Sequence, residues 1–162
     1  YGKVETLGYN LSVRYGFGRW VSIGANFSQM DVRDNMKTMI GTTMPNIGYR
    51  QRMPNLPYLF ADGDVTFTWH DLFSKGNVLT ISYDNQYLHE FSFYSSVIGS
   101  NKGEYMVPSQ FLHNLAVAYS FAKGRYNVSF ECRNFTNEKL YDNFSLQKAG
   151  RAFYGKFRIC FK

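Results

Sequence analysis

Apolar and polar residues alternate one for one along most of this chain, and that period of two limits what it can fold into. Successive side chains of an extended strand point to opposite faces, whereas a helix repeats every 3.6 residues. From Leu7 the odd positions read Leu7, Tyr9, Leu11, Val13, Tyr15 and Phe17, with Gly8, Asn10, Ser12, Arg14 and Gly16 between them. After a tight turn at Gly18-Arg19 the pattern resumes as Val21, Ile23, Ala25 and Phe27 against Ser22, Gly24, Asn26 and Ser28. A third run sets Ala61, Gly63, Val65, Phe67 and Trp69 against Phe60, Asp62, Asp64, Thr66, Thr68 and His70. The fourth carries Leu79, Ile81, Tyr83, Tyr87, Phe91 and Phe93 on one face, the fifth Phe111, Leu115, Val117, Tyr119 and Phe121. Tyr126, Val128 and Phe130 form a sixth, and Phe153, Phe157, Ile159 and Phe161 a seventh. No stretch repeats at helical spacing, so the fold class is all-β.

The connections alternate too. Short links (Gly18-Arg19, Asp71 to Asn77, Lys123 to Arg125) take turns with long ones of about Gln29 to Pro54, Tyr94 to Pro108 and Asn134 to Arg151. Antiparallel up-and-down transmembrane β-barrels are built this way, with short periplasmic turns and longer extracellular loops.

A soluble β-sandwich acting as a binding or structural module also alternates. Three features favour lipid. The expected strands run about 10 to 14 residues, near the 9 to 11 tilted residues that cross a bilayer. The polar face gathers Arg14, Asp62, Asp64, Asp84, Glu90, Glu131, Lys156 and Arg158, as a hydrated or plugged lumen requires. Aromatic residues, 19% of the chain, crowd the short turns: Tyr15, Phe17 and Trp20, then Trp69 and Phe73, then Tyr119, Phe121 and Tyr126. Tyr and Trp settle at a membrane interface because the ring is apolar and its edge hydrogen-bonds. The mean hydropathy of −0.34 fits this interleaving. No run approaches the roughly 18 apolar residues of a spanning helix. Seven strands are an odd number, and no leader peptide precedes them, so further strands are expected on the N-terminal side, with localisation in the outer membrane. The net charge of +6 is scattered and not gathered on one face, which argues against nucleic acid as a partner.

The last third resembles a family. Tyr126 to Phe161 reads YNVSFECRNFTNEKLYDNFSLQKAGRAFYGKFRICF. It looks like the end of a TonB-dependent outer-membrane receptor, in the form such receptors take in Bacteroides-like bacteria. Asn134, Phe135, Thr136, Asn137, Tyr141, Asp142, Gly150, Arg151 and Phe161 carry the match, and Arg52-Met53-Pro54-Asn55-Leu56-Pro57-Tyr58 resembles a strand entry found earlier in such receptors. Lys162 departs from the pattern, since these barrels typically finish on the aromatic residue. The resemblance implies a C-terminal segment, about seven strands, of a roughly 22-strand barrel whose plug domain is absent from this chain. It also implies energised uptake of a small-molecule nutrient (siderophore, haem, cobalamin or glycan), with the TonB system acting through the missing plug and a surface lipoprotein as a further partner for glycans. A passive channel or fatty-acid-type transporter barrel is the alternative within the membrane class.

Candidate sites follow from this layout. Met30, Met36, Met39, Met44 and Met53 cluster in the longest loop with Tyr49, Arg50 and Arg52. Thioethers suit apolar contact and Arg forks suit anions, so Met36, Met39, Met44, Tyr49, Arg50 and Arg52 are the candidate ligand-binding set. Arg14, Asp62, Asp64 and Glu131 are expected to face the lumen or plug. Asp62 and Asp64 lie about 7 Å apart by strand rise, but no nucleophile or base accompanies them, so no enzymatic role is read. His70, His89 and His113 sit on separate strands without ligand spacing; alternation sends His89 and His113 to the apolar side and His70 to the polar one. No metal or cofactor is called for. Cys132 and Cys160 fall on opposite faces at different heights, which disfavours a bridge.

Overall fold

A computed structural model describes residues 2–94, 105–143 and 146–161. Seven strands form one antiparallel sheet in the order β1 (Val4–Phe17), β2 (Val21–Asp34), β3 (Leu59–His70), β4 (Val78–Leu88), β7 (Gln110–Phe121), β8 (Tyr126–Arg133) and β11 (Ala152–Ile159). Two small hairpins complete the chain at the long-loop end: β5 (Phe91–Ser92) with β6 (Met106–Val107), and β9 (Tyr141–Asn143) with β10 (Leu146–Gln147).

Register carries the sequence period across the sheet. Phe17 pairs with Val21, Val21 with Phe67, Phe67 with Ile81, Ile81 with Val117 and Val117 with Phe130. Each pairing matches apolar to apolar, so all seven strands turn one apolar face the same way and one polar face the other. β1 and β11 are the edge strands. Among the described residues no second layer covers the apolar face: Leu11 is 62% exposed, Phe130 52% and, in a central strand, Leu115 40%. The buried apolar side chains are Phe91, Val107 and Leu140, all in the long-loop segments. The sheet itself has no conventional core.

Three boundaries differ from expectation. β2 continues six residues past Ser28 to Asp34, because β1 keeps pairing with it as far as Val4 opposite Asp34. β4 stops at Leu88 although its alternation runs on to Phe93; Phe91 leaves the sheet to pair with Val107. β8 and β11 have eight residues each, shorter than the 10 to 14 expected. The middle of the second long link, 95–104, and Lys162 lie outside the described residues.

Candidate functional site

On the apolar face, aliphatic residues occupy the middle and rings occupy both ends. Toward the short turns, Tyr119, Phe121, Tyr126 and Phe157 stack in sequence at 5.8, 5.2 and 6.4 Å between centroids. Phe67 stacks on Trp69 nearby, and Tyr15 meets Phe17 edge-on. Toward the long loops, Tyr9 meets Phe27, Tyr87 meets Phe111 at 4.6 Å, and His113 lies flat against Phe111 at 5.9 Å. The Tyr83 hydroxyl is 2.8 Å from His113 Nδ1, and the Tyr87 hydroxyl is 2.7 Å from His89 Nδ1. Between the two levels lie Val13, Ile23, Val65, Ile81 and Val117, with two rings among them, Tyr83 paired with Val65 and Phe130 with Val117. His89 and His113 therefore sit among rings at one end of this face, while His70, on the polar parity, touches Trp20 at the short-turn end of the sheet.

The polar face is a hydrogen-bonded lattice. Arg14 on β1 reaches across β2 to Asp64 on β3, with Nη2 2.8 Å from Oδ1. Two strand spacings are about 9.6 Å, and the bridge is possible because Gly24 stands between. A Cβ there would run into Asp64 Oδ1 and lie 2.9 Å from Arg14 Nη2. Beside it, Ser12 donates to Asn26 at 2.7 Å and Asn26 donates to Asp62 at 3.2 Å. Farther along, Asn114 donates to Asp84 at 2.7 Å. Arg14 and Asp64 thus form one bridge, and Asp62 belongs to the hydrogen-bonded chain beside it. Glu131 does not; on β8 it accepts from Arg133 at 2.6 Å.

The loop candidates separate into two places. Met36, Met39 and Met44 line a shallow depression with Thr38, Ile40 and Thr42. Arg52 lies instead in a hollow of about 350 Å³ with Arg33, Tyr58, Glu90, Phe91 and Met106. Its guanidinium carbon is 3.9 Å from the Tyr58 ring centroid, and its Nε is 2.8 Å from Asp31 Oδ1, while Arg33 takes the other oxygen of Asp31 at 2.7 Å. Arg50 pairs with Glu5 at 3.2 Å and stands over Tyr49. Both arginines expected to meet an anion therefore already hold carboxylates. Asp31 and Glu5 were not foreseen as partners: Asp31 falls within the expected long link but lies on β2, and Glu5 lies on β1.

A second hollow, about 430 Å³, opens on the polar face at the long-loop end, lined by Phe60, Asp62, Gln86, Leu112, Tyr141 and Lys148 among others. Phe60 pairs with Leu88, and Leu112 with Gln86 in the adjacent row, so three apolar residues interrupt the polar face over two neighbouring rows. Leu140 closes over them and is 6% exposed. Gln110, 4% exposed, fixes the next residue by donating to the Tyr141 carbonyl at 3.1 Å and accepting from its N–H at 2.6 Å. The sequence signal for this hollow was the break in parity at Phe60 and Leu112.

The N-F-T-N and G-R residues form one knot where β8 ends. Asn134 is 2% exposed with φ 49, a left-handed conformation that Asn tolerates. Its Nδ2 donates to the Glu138 carbonyl at 2.9 Å, and its Oδ1 accepts from the Glu138 N–H at 3.0 Å. Its own N–H donates to Asn114 Oδ1 at 3.0 Å. Asn137 Oδ1 accepts from the Arg151 N–H at 3.0 Å, and a Cβ on Gly150 would come within 2.8 Å of that same oxygen. Cys132 pairs with Phe153 on the apolar side, whereas Cys160 meets Arg125 at the far end; both thiols are free. Among the described residues no group of three His, Cys, Asp or Glu side chains is placed to hold a metal ion. No protein-family model and no curated relative matches this chain.

Proposed function

We propose that this chain is wall from the C-terminal part of a TonB-dependent outer-membrane receptor, which takes up a small nutrient across the outer membrane. The observation that carries this reading is the apolar face, a mostly aliphatic band between two levels of rings, over which no second layer lies among the described residues. From Tyr119 to Phe111 is about 27 Å along the strand at ~3.4 Å per residue. At the 35–45° tilt of outer-membrane strands that becomes about 20 Å of height, comparable with their ~25 Å apolar band. In hydrocarbon every backbone group needs a partner, so the open edges at β1 and β11 require further strands to close a barrel. The polar lattice of Arg14, Asp62 and Asp64 then faces an aqueous interior or a plug. The Asn134–Arg151 knot supports the family, because Asn134, Asn137, Gly150 and Arg151, four of the residues behind the resemblance, have structural duties there.

Under this reading the two hollows at the long-loop end are where a nutrient first meets the wall, and the Met36–Met44 depression is an outlying contact. The test is heat-modifiable gel migration and circular dichroism, in detergent and in plain buffer, of the protein expressed from the full reading frame, which supplies the strands that close the edges. Strand signal and compact migration are expected in micelles alone. A monomeric, folded chain in plain buffer would refute the membrane placement. For transport, collapsing the proton-motive force in cells that express the full reading frame should abolish nutrient accumulation; unchanged accumulation would favour a passive channel.

A further inference from the structure

The short-turn end of the sheet carries an unbalanced charge. Its three turns hold Arg19, Lys75, Lys123 and Arg125 against a single carboxylate, Asp71, whose Oδ1 is already engaged by the Gly76 N–H at 2.7 Å. None of these four cations forms an ion pair with a described residue. The long-loop end is different: of the six ion pairs among the described residues, five lie there or at the adjoining strand ends. The turns are also knit together. Lys123 packs over Gly76, the Tyr119 hydroxyl donates to the Leu72 carbonyl at 3.3 Å, and the Trp20 carbonyl accepts from Thr68. Rings lie among the charges: the Arg19 guanidinium stands 5.2 Å over Trp20, and that of Arg125 stands 5.6 Å over Tyr126.

Phe73 adds an independent observation. It is 89% exposed and is held at φ 64, a conformation that bulky residues avoid, with its ring edge against Tyr119 on the apolar face. Backbone strain that presents an apolar ring to the outside calls for an apolar medium there.

We propose that this rim binds the anionic headgroups of the phospholipid leaflet that surrounds it, with Arg19, Lys75, Lys123 and Arg125 on the phosphates while Phe73 and the neighbouring rings enter the acyl boundary. The inference rests on the membrane reading above and names the lipid partner of one end. Charge complementarity selects the occupant. Lys and Arg near an anionic bilayer surface each favour association by roughly fivefold, an effect that dies away within a Debye length. At the opposite end Lys3, Lys37, Lys139 and Arg151 also form no ion pair with a described residue, but Glu5, Asp31, Asp34, Glu90, Glu138 and Asp142 stand among the cations there and offset their charge.

The chain reports on its own rim, because both of its tryptophans, Trp20 and Trp69, lie at the short-turn end. The experiment transfers the barrel from the full reading frame, with Trp20 and Trp69 kept as its only tryptophans, from micelles to vesicles of phosphatidylcholine, or of phosphatidylcholine mixed with anionic phosphatidylglycerol, and follows tryptophan emission. Tighter partitioning into the anionic vesicles is expected. A variant carrying Arg19→Gln, Lys75→Gln, Lys123→Gln and Arg125→Gln should lose most of that preference, up to several hundredfold if the four contributions add. It should still insert into phosphatidylcholine, which shows that it folds. Equal partitioning of the parent chain into both vesicles overturns the headgroup proposal and leaves the membrane reading intact. Failure to insert into either overturns the membrane reading itself. An emission change with glycerol phosphate alone, as large as that with vesicles, would replace the leaflet by a soluble anion and likewise overturn the proposal.

Discussion

Replacing Gly24 by alanine should uncouple Arg14 from Asp64 while hardly changing overall stability. The bridge crosses directly over Gly24, and a Cβ there would collide with the Asp64 carboxylate and crowd Arg14 Nη2. Both colliding groups end flexible side chains, so they can swing aside at little cost. Arg14 is 69% exposed and Asp64 32%, and ion pairs so well solvated contribute about 0.2–1 kcal/mol. Against that loss, alanine regains about 0.5–1 kcal/mol that glycine forfeits in a strand interior. The two effects nearly cancel, and a simple stability measurement would therefore miss the change. The assay is a double-mutant cycle with Arg14→Ala and Asp64→Ala, run once in the parent chain and once in the Gly24→Ala background, by urea unfolding in micelles with tryptophan emission. Coupling of about 0.5 kcal/mol is expected in the parent and about zero in the Gly24→Ala background. Equal coupling in both would refute the idea that the glycine is the window for this bridge.

Two further outcomes follow from the same geometry. Asn134→Ala removes the side chain that both accepts from and donates to the Glu138 backbone while itself buried, so it should cost about 2–3 kcal/mol; hydrogen exchange at Glu138 and Arg151 should accelerate while β1–β3 stay protected, and uniform acceleration would contradict a local knot. Arg52→Ala should destabilise the long loop more than Arg50→Ala, because Arg52 stacks on Tyr58 and holds a half-buried Asp31, whereas Arg50 meets an exposed Glu5. About 1–2 against under about 1 kcal/mol is expected by differential scanning calorimetry in micelles, and the reverse order would count against the stacking argument.

The seven-stranded sheet was legible because register preserves parity. Once Phe17 pairs with Val21 and Val21 with Phe67, the apolar positions read from each strand alone fall on one common face. The same rule failed at the loop end, in two opposite ways. In β2 the pattern reverses at Met30 and Val32, which take the parity of Ser28, yet the ladder to Gly8 and Thr6 continues unbroken. In β4 the pattern continues to Phe91 and Phe93, yet the sheet stops at Leu88. Alternation reports which medium each face meets, and it reports the backbone only where those media stay constant.

Past the level of Phe60 the polar face ceases to meet a uniform medium, because the segment around Leu140 lies over it, and Phe60, Leu88 and Leu112 become the floor under that segment. Apolar residues on the polar parity are therefore the sequence mark of the wall turning into a loop-covered hollow. The arginine partners were hidden for another reason. Arg50 with Glu5, and Arg52 with Asp31, join residues 45 and 21 positions apart, and only the fold-back of the loop along β2 brings them together. That fold-back runs through backbone bonds such as Met53 N–H to the Val32 carbonyl and Met30 N–H to the Tyr58 carbonyl, to which no side-chain pattern corresponds. A set of candidate residues drawn from one loop by composition alone could not divide into its two groups, one of methionines at the tip and one of arginines against the strands, until that path was known.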